Sequence, residues 1–270
     1  MLFSEKSGPF GAAYRQALLF LEVMNVYDGV MIDKLWVGHS RFGGLPGLED
    51  VPFVQTWRQV LKKRSLLALI WMAWIRRQYA FGKGGMMERV HQTILSSLDF
   101  DGQGSLLEVG CGSGAMTIRA SLTWPKAKIT GLDYWGAMYN YSKALCEKNA
   151  ASEGVGSRCT FVHGDANKLA FPDERFDAVI SNYVYHNIMG ADKQALLLES
   201  LRVLKKGGVF VLHDNMKPQM YGDMHAFAEK LKHMGFDQVE YVETAASIFG
   251  SKRRAAMMML GDSTMIVGRK

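Results

Sequence analysis

Leu106-Leu107-Glu108-Val109-Gly110-Cys111-Gly112-Ser113-Gly114 is the stretch that decides the fold. An apolar run carries one acid and ends in a loop with glycine at every second position. Glycine puts no Cβ in the way of a ligand and tolerates φ > 0. Ala115 to Ser121 follows as the opening turns of a helix. Strand, glycine loop and helix in that order place a small ligand at a helix N-terminus. One crossover later, Ala127 to Leu132 (AKITGL) predicts a strand, and Asp133 stands at its end, nineteen positions after Gly114. An acid there can accept both hydroxyls of a ribose.

Two cofactor classes fit this pattern, dinucleotides and S-adenosylmethionine (SAM). The dinucleotide fingerprint G-x-G-x-x-G sets its third glycine one residue beyond Gly114. Glu108 lies two residues before the first glycine, where its carboxylate would repel a pyrophosphate and attract the free amino group of a sulfonium cofactor. Charge therefore selects SAM. Further landmarks follow in order: Gly164-Asp165-Ala166 after the run Cys159 to His163, the strand Phe176 to Asn182 (FDAVISN) with a polar end, and Leu201 to Gly208 (LRVLKKGG), a helix end and turn feeding a strand from Val209 to His213. From Ser105 onward strands and helices alternate, which argues for an α/β, doubly wound, mostly parallel sheet. Helices are expected over 136–151, 191–204 and 221–234. Val239 to Thr244 and Ser263 to Gly268 read as two closing strands with no helix between them, and Met257 to Met259 reads as core.

The pieces LLEVGCGSG, ITGLDYWG, HGDANKLAFPDERFDAVISN and LRVLKKGG, in this order and spacing, resemble the class I SAM-dependent methyltransferases, close in style to the enzymes of ubiquinone and menaquinone biosynthesis. The resemblance covers about Met87 to Lys270. It implies a Rossmann-like, seven-stranded sheet closed by an antiparallel hairpin, and SAM as the cofactor. Carried over residue by residue, it implies that Glu108 binds the amino group of the methionine portion while Gly110, Gly112 and Gly114 make room for it. Asp133 would hold the ribose, Tyr134 or Trp135 would pack on the adenine, Asp165 would accept from the adenine amino group, and Ala166 would add a backbone contact. Asn182 would sit beside the methionine portion.

Methyl transfer from a sulfonium is an in-line displacement with a good leaving group, so the protein's work is alignment and exclusion of water. A neutral oxygen, nitrogen or enol-type carbon also needs a base. His186 is the first candidate, since a neutral imidazole accepts a proton near pH 7. Tyr185 and Asp214 are further catalytic candidates, with His213 beside Asp214. Tyr183 and Asn187, after the fourth strand, face the carboxyl edge where an acceptor would lie, and Tyr27 is placed by analogy as a cover from the N-terminal segment. The competing reading is a non-catalytic SAM-binding sensor or scaffold. Asn182-Tyr183-Val184-Tyr185 departs from the N/D-P-P-Y/F sequence of amino-methylating DNA enzymes.

The 270 residues, 48% hydrophobic, allow one large domain and an appendage. A net charge of +6 does not require nucleic acid as a partner. Three cysteines without metal-ligand spacing suit a reducing cytoplasm and a metal-free site. The boundary is expected near Met86, dividing a helical N-terminal extension, 1–85, from the SAM-dependent domain, 86–270. In the extension, Leu66 to Ile75 is ten unbroken apolar residues between Lys62-Lys63-Arg64 and Arg76-Arg77. Ten helical residues reach only about 15 Å, half a hydrocarbon core. Basic flanks and tryptophans on an apolar helix suit peripheral membrane contact through 54–80, or a lid over the site. A small-molecule or lipid-like acceptor is the expected partner; spacing says nothing of oligomeric state.

Overall fold

A computed structural model describes residues 85–136 and 141–270 of the chain. The expected N-terminal helix, the apolar segment 54–80 and Tyr27 lie outside the described residues. Helix α1 (Met86–Ser97) opens the domain and buries Val90, Ile94 and Leu95 on one face. Seven strands then form one sheet in the order β3-β2-β1-β4-β5-β7-β6. They are β1 (Ser105–Val109), β2 (Lys128–Asp133), β3 (Cys159–His163), β4 (Phe176–Asn182), β5 (Leu204–Asn215), β6 (Asp237–Glu243) and β7 (Ser263–Arg269). The first five run parallel. β7 is antiparallel to both β5 and β6. The predicted doubly wound sheet with a closing hairpin is therefore the observed one.

The sequence explains which strands are central. β1, β4 and the Val209 to Leu212 part of β5 are largely apolar and buried on both faces, as a helix-covered parallel sheet requires. β6 buries only Val239 and forms an edge of the sheet among the described residues. The main core joins Leu107, Val179, Phe210 and Leu212 of the sheet to Leu197, Leu201, Phe227 and Leu231 of the helices beneath. The covering helices are α2 (Ala115–Thr123), α3 (Lys143–Ser152), α4 (Lys193–Arg202), α5 (Pro218–Tyr221), α6 (Met224–His233), α7 (Ala245–Phe249) and α8 (Lys252–Met257).

Short polar caps set several boundaries that apolar spacing missed. Ser142 accepts from the Leu145 N–H, so α3 begins later than Gly136. Asp192 accepts from the Gln194 and Ala195 N–H groups and fixes the start of α4. The stretch 221–234 is not one helix: Gly222, at φ 68°, divides α5 from α6, which Asp223 caps. Lys205 to Gly208 is not a separate turn but part of β5, with Gly207 at φ 75° and a shift of register against β4. Between β6 and β7 the chain makes two short helices where none was expected, broken at Gly250 with φ 82°. Of the methionine run only Met258 is core; Met257 and Met259 are exposed.

The carboxyl ends of β1, β2, β4 and β5 share one edge. Strand order reverses between β1 and β4, and a crevice opens outside such a reversal.

Candidate active site

The glycine loop is shaped more by the protein than by room for a ligand. A Cβ on Gly110 would lie 2.1 Å from Val184, and one on Gly114 would lie 3.0 Å from Phe161. Both glycines have φ near 80°. They are there because a left-handed backbone and close packing coincide. Only Gly112 has an open side, its nearest neighbour being the Tyr141 ring at 3.7 Å. Of the three glycines expected to make room, Gly112 alone has space beside it among the described residues. The Gly110–Val184 contact also lays the turn after β4 against this loop, which brings the two halves of the site together.

Asp133 holds the loop's shape. Its carboxylate accepts from the Gly112 N–H at 2.8 Å and from the Trp135 N–H at 2.7 Å, one on each oxygen. Each oxygen keeps a second lone pair for a ribose hydroxyl. Trp135, at φ 44°, donates its indole N–H to the Gly112 carbonyl at 2.9 Å and packs on the Cys111, Cys146 and Phe161 cluster. That makes it a strut of the loop rather than a free adenine platform. Tyr134, 63% exposed and 5.3 Å from the His163 ring, is the open aromatic surface. Replacing Trp135 by Phe removes one hydrogen bond and should cost about 1 kcal/mol in urea-induced unfolding, with SAM affinity falling about threefold through the loosened Gly112.

Glu108 is 3% exposed and takes a hydrogen bond from the buried Thr117 hydroxyl. Burial pushes its pKa up to about 8, and the charge of Asp133 pushes the same way. A buried carboxyl at this height calls for a cation. Asp165 is exposed and accepts from the Asn167 N–H and side-chain amide through one oxygen. Ala166 beside it is buried. A buried acid needing a cation, a diol-sized acceptor and an outer acid, all at one edge, fit a sulfonium nucleoside with a free amino group.

The residues expected on the acceptor side follow β4 and differ in burial and bonding. A 3-10 turn, Tyr185–Asn187, follows β4. Tyr185 is wholly buried and its hydroxyl bonds Ser200 Oγ at 2.8 Å; burial raises its pKa to about 12. It anchors the turn and reaches no acceptor. His213, also wholly buried, bonds Asn182 Oδ1 through Nδ1 and Thr244 Oγ1 through Nε2. Burial lowers its pKa to about 4, so it is structural. The same bond turns Asn182 toward β5. Tyr183, at φ 55°, pairs its hydroxyl with Ser263 Oγ at 2.7 Å and sets its ring on His213. Asn187 is exposed and donates to the Tyr183 carbonyl. His186 keeps a 27% exposed side chain while Nδ1 bonds Asp214. Asp214, expected to be catalytic, is fully buried and leaves no surface for direct contact with an acceptor. Tyr221, which also bonds Asp214 at 3.0 Å, carried no signal in the sequence, because it enters from the unrecognised helix α5.

Among the described residues, no group of three or more His, Cys, Asp or Glu is placed to hold a metal. No helix among them is long and apolar enough to cross a membrane.

Residues 107–212 match the family described as methyltransferase domain. The ubiquinone/menaquinone biosynthesis C-methyltransferase of Desulfotalea psychrophila is 31% identical over 134 residues, 50% of either chain. The demethylmenaquinone methyltransferase of Staphylococcus aureus is 36% identical over 115 residues, 42% of this chain and 44% of that one. The chain spans about half the length of the curated relatives it matches. Among solved structures, the [4+2]-cyclase SpnF superposes with a TM-score of 0.53 at 20% identity, over 68% of this chain and 81% of that one. That likeness speaks for the fold alone. Sequence match and strand order together make residues 107–212 similar to methyltransferase domains of the class I, SAM-dependent type, those of ubiquinone and menaquinone biosynthesis among them.

Proposed function

We propose that this chain transfers a methyl group from SAM to a small, quinone-like or lipid-soluble acceptor. The observation that carries the reading is Glu108, a buried carboxyl held near pKa 8 beside the glycine loop and one strand from Asp133. SAM, when bound, supplies an electrophilic methyl carbon on a sulfonium. Glu108 would bind its amino group, Asp133 its ribose, Asp165 and Tyr134 its adenine. The turn carrying His186 then faces the acceptor. The relatives' names, both enzymes of quinone methylation, support the acceptor class. The apolar, basic stretch 54–80 supports work at a membrane surface, since such acceptors reside there.

The test incubates the full chain with SAM and decyl-hydroquinone and follows S-adenosylhomocysteine, with flotation on vesicles containing phosphatidylglycerol alongside. Turnover and flotation are the expected results. SAM binding without turnover on this or other quinols would favour the sensor or scaffold reading. A chain that turns over but never floats would remove the membrane from the proposal.

A further inference from the structure

We propose that Asp214 and Tyr221 are positioning residues that fix His186 as a proton acceptor at the crevice, and that the acceptor's reacting atom is therefore a hydroxyl oxygen or an acidified carbon. The inference rests on the methyl-transfer reading above and narrows its acceptor class.

Asp214 ends in a fully buried carboxylate with four donors. Oδ1 takes the Asn215 N–H at 2.6 Å and the His186 ring nitrogen Nδ1. Oδ2 takes the His186 backbone N–H at 3.2 Å and the Tyr221 hydroxyl at 3.0 Å. A carboxylate offers about four lone-pair positions, so none is left over. Burial, and then the neighbouring Asp214, push the Tyr221 phenol far above its ordinary range, which keeps it a donor. Asp214 accepts only, so Nδ1 of His186 must carry its proton. Nε2 is then the ring's basic lone pair, and no partner for it is found among the described residues.

The scaffold is built around this orientation. The turn bearing His186 is pinned by the Tyr185–Ser200 bond beneath it and by Val184 packed on Gly110. Tyr221 is held in turn, its carbonyl accepting from the Gln194 side chain at 2.8 Å. Surface histidines need no such support. A ring with one nitrogen locked and the other directed away from its lock is arranged to take a proton.

The chemistry balances. As the acceptor attacks the methyl carbon, its X–H bond breaks, its proton goes to Nε2 and its electron pair forms the new bond. The sulfur keeps the electrons of the broken bond as a neutral thioether, and the imidazolium returns its proton to solvent. A thioether or tertiary amine carries no proton on its nucleophilic atom and would need none of this. A hydroxyl needs it, as does a carbon acidified by a neighbouring hydroxyl or carbonyl.

The experiment uses the full chain labelled with 15N-histidine, with His186→Gln to assign the ring. Long-range 1H–15N spectra should show His186 protonated at Nδ1 and bare at Nε2, with a low-field proton shared with Asp214. Tyr221→Phe removes a single hydroxyl. It should shift that proton, displace the acidic limb of the pH–rate profile with decyl-hydroquinone and lower kcat about tenfold, with KM unchanged. Asp214→Asn should abolish the signal. Dimethyl sulfide should be methylated more slowly than decyl-hydroquinone. An Nε2–H tautomer with SAM bound, or a Tyr221→Phe variant with an unmoved signal and pH profile, overturns the relay. Faster methylation of dimethyl sulfide overturns the acceptor class. Failure of SAM to bind in calorimetry overturns the methyl-transfer reading and the acceptor class with it, while the tautomer still reports on the relay.

Discussion

Titrating the full chain with SAM at pH 7 should release a proton, and Glu108→Gln should abolish that release. Burial pushes the Glu108 pKa up to about 8, so at pH 7 the carboxyl is mostly protonated. An ammonium docking against it restores the charged form and expels the proton. Calorimetry in phosphate and in Tris, whose ionisation enthalpies differ, reads the released proton directly. The Gln variant keeps an oxygen for the Thr117 hydroxyl but offers SAM no charge. Its affinity should fall on the order of 100-fold, as expected for a charge-assisted bond lost. Equal proton release in the two proteins would sink the assignment.

The same residue sets a stability profile. Glu108 binds its proton more tightly folded than unfolded, so its contribution is greatest below its ordinary value of 4.5. That contribution is lost as pH rises toward 8, at roughly 1.4 kcal/mol per pH unit. His213 and His91 act oppositely. Burial holds their folded values to about 4 and about 3, so they cost stability as pH falls below 6.5. Between pH 6.5 and 8 Glu108 is the group among these three that changes. Stability of the wild type should therefore peak near pH 6.5, and Glu108→Gln should flatten the fall above it.

Asp133→Ala should weaken SAM binding by roughly 10³-fold. Two charge-assisted bonds to ribose hydroxyls, at about 1.5–3 kcal/mol each, account for most of that. The remainder comes from the loop, because the Gly112 and Trp135 N–H groups lose their shared acceptor. Asp133→Asn separates the two parts. Its amide oxygen can accept from one of those N–H groups but holds the diol poorly, so most of the loss should persist while the loop is partly kept. Unaltered SAM affinity in both variants would remove Asp133 from the site.

The sheet was legible in the sequence because parallel strands buried on both faces leave long apolar runs, as in 105–109 and 176–182. The candidate cofactor edge was legible for a related reason: Glu108 is an acid inside such a run, and Asp133 is the acid that closes the next. What spacing could not show was direction. Tyr183, Tyr185, His186 and Asn187 are four polar neighbours, and only the turn decides that Tyr185 points inward to Ser200 while His186 meets Asp214. Tyr221 and the helices between β6 and β7 were missed because they are one or two turns long. No apolar period develops in so few residues, and only the caps mark them.

The last strand to be made, β7, lies between two strands made earlier. While a ribosome is still adding residues before Ser263, β6 has no partner and the outer edge of β5 stands open. The nascent chain must therefore keep two adhesive edges apart until one late segment arrives to zip both at once. Lys270 then fastens the seam, its ammonium donating to the Leu201, Arg202 and Leu204 carbonyls where α4 gives way to β5. A pause in translation just ahead of Ser263 would prolong that exposed interval, so chaperone demand should concentrate there.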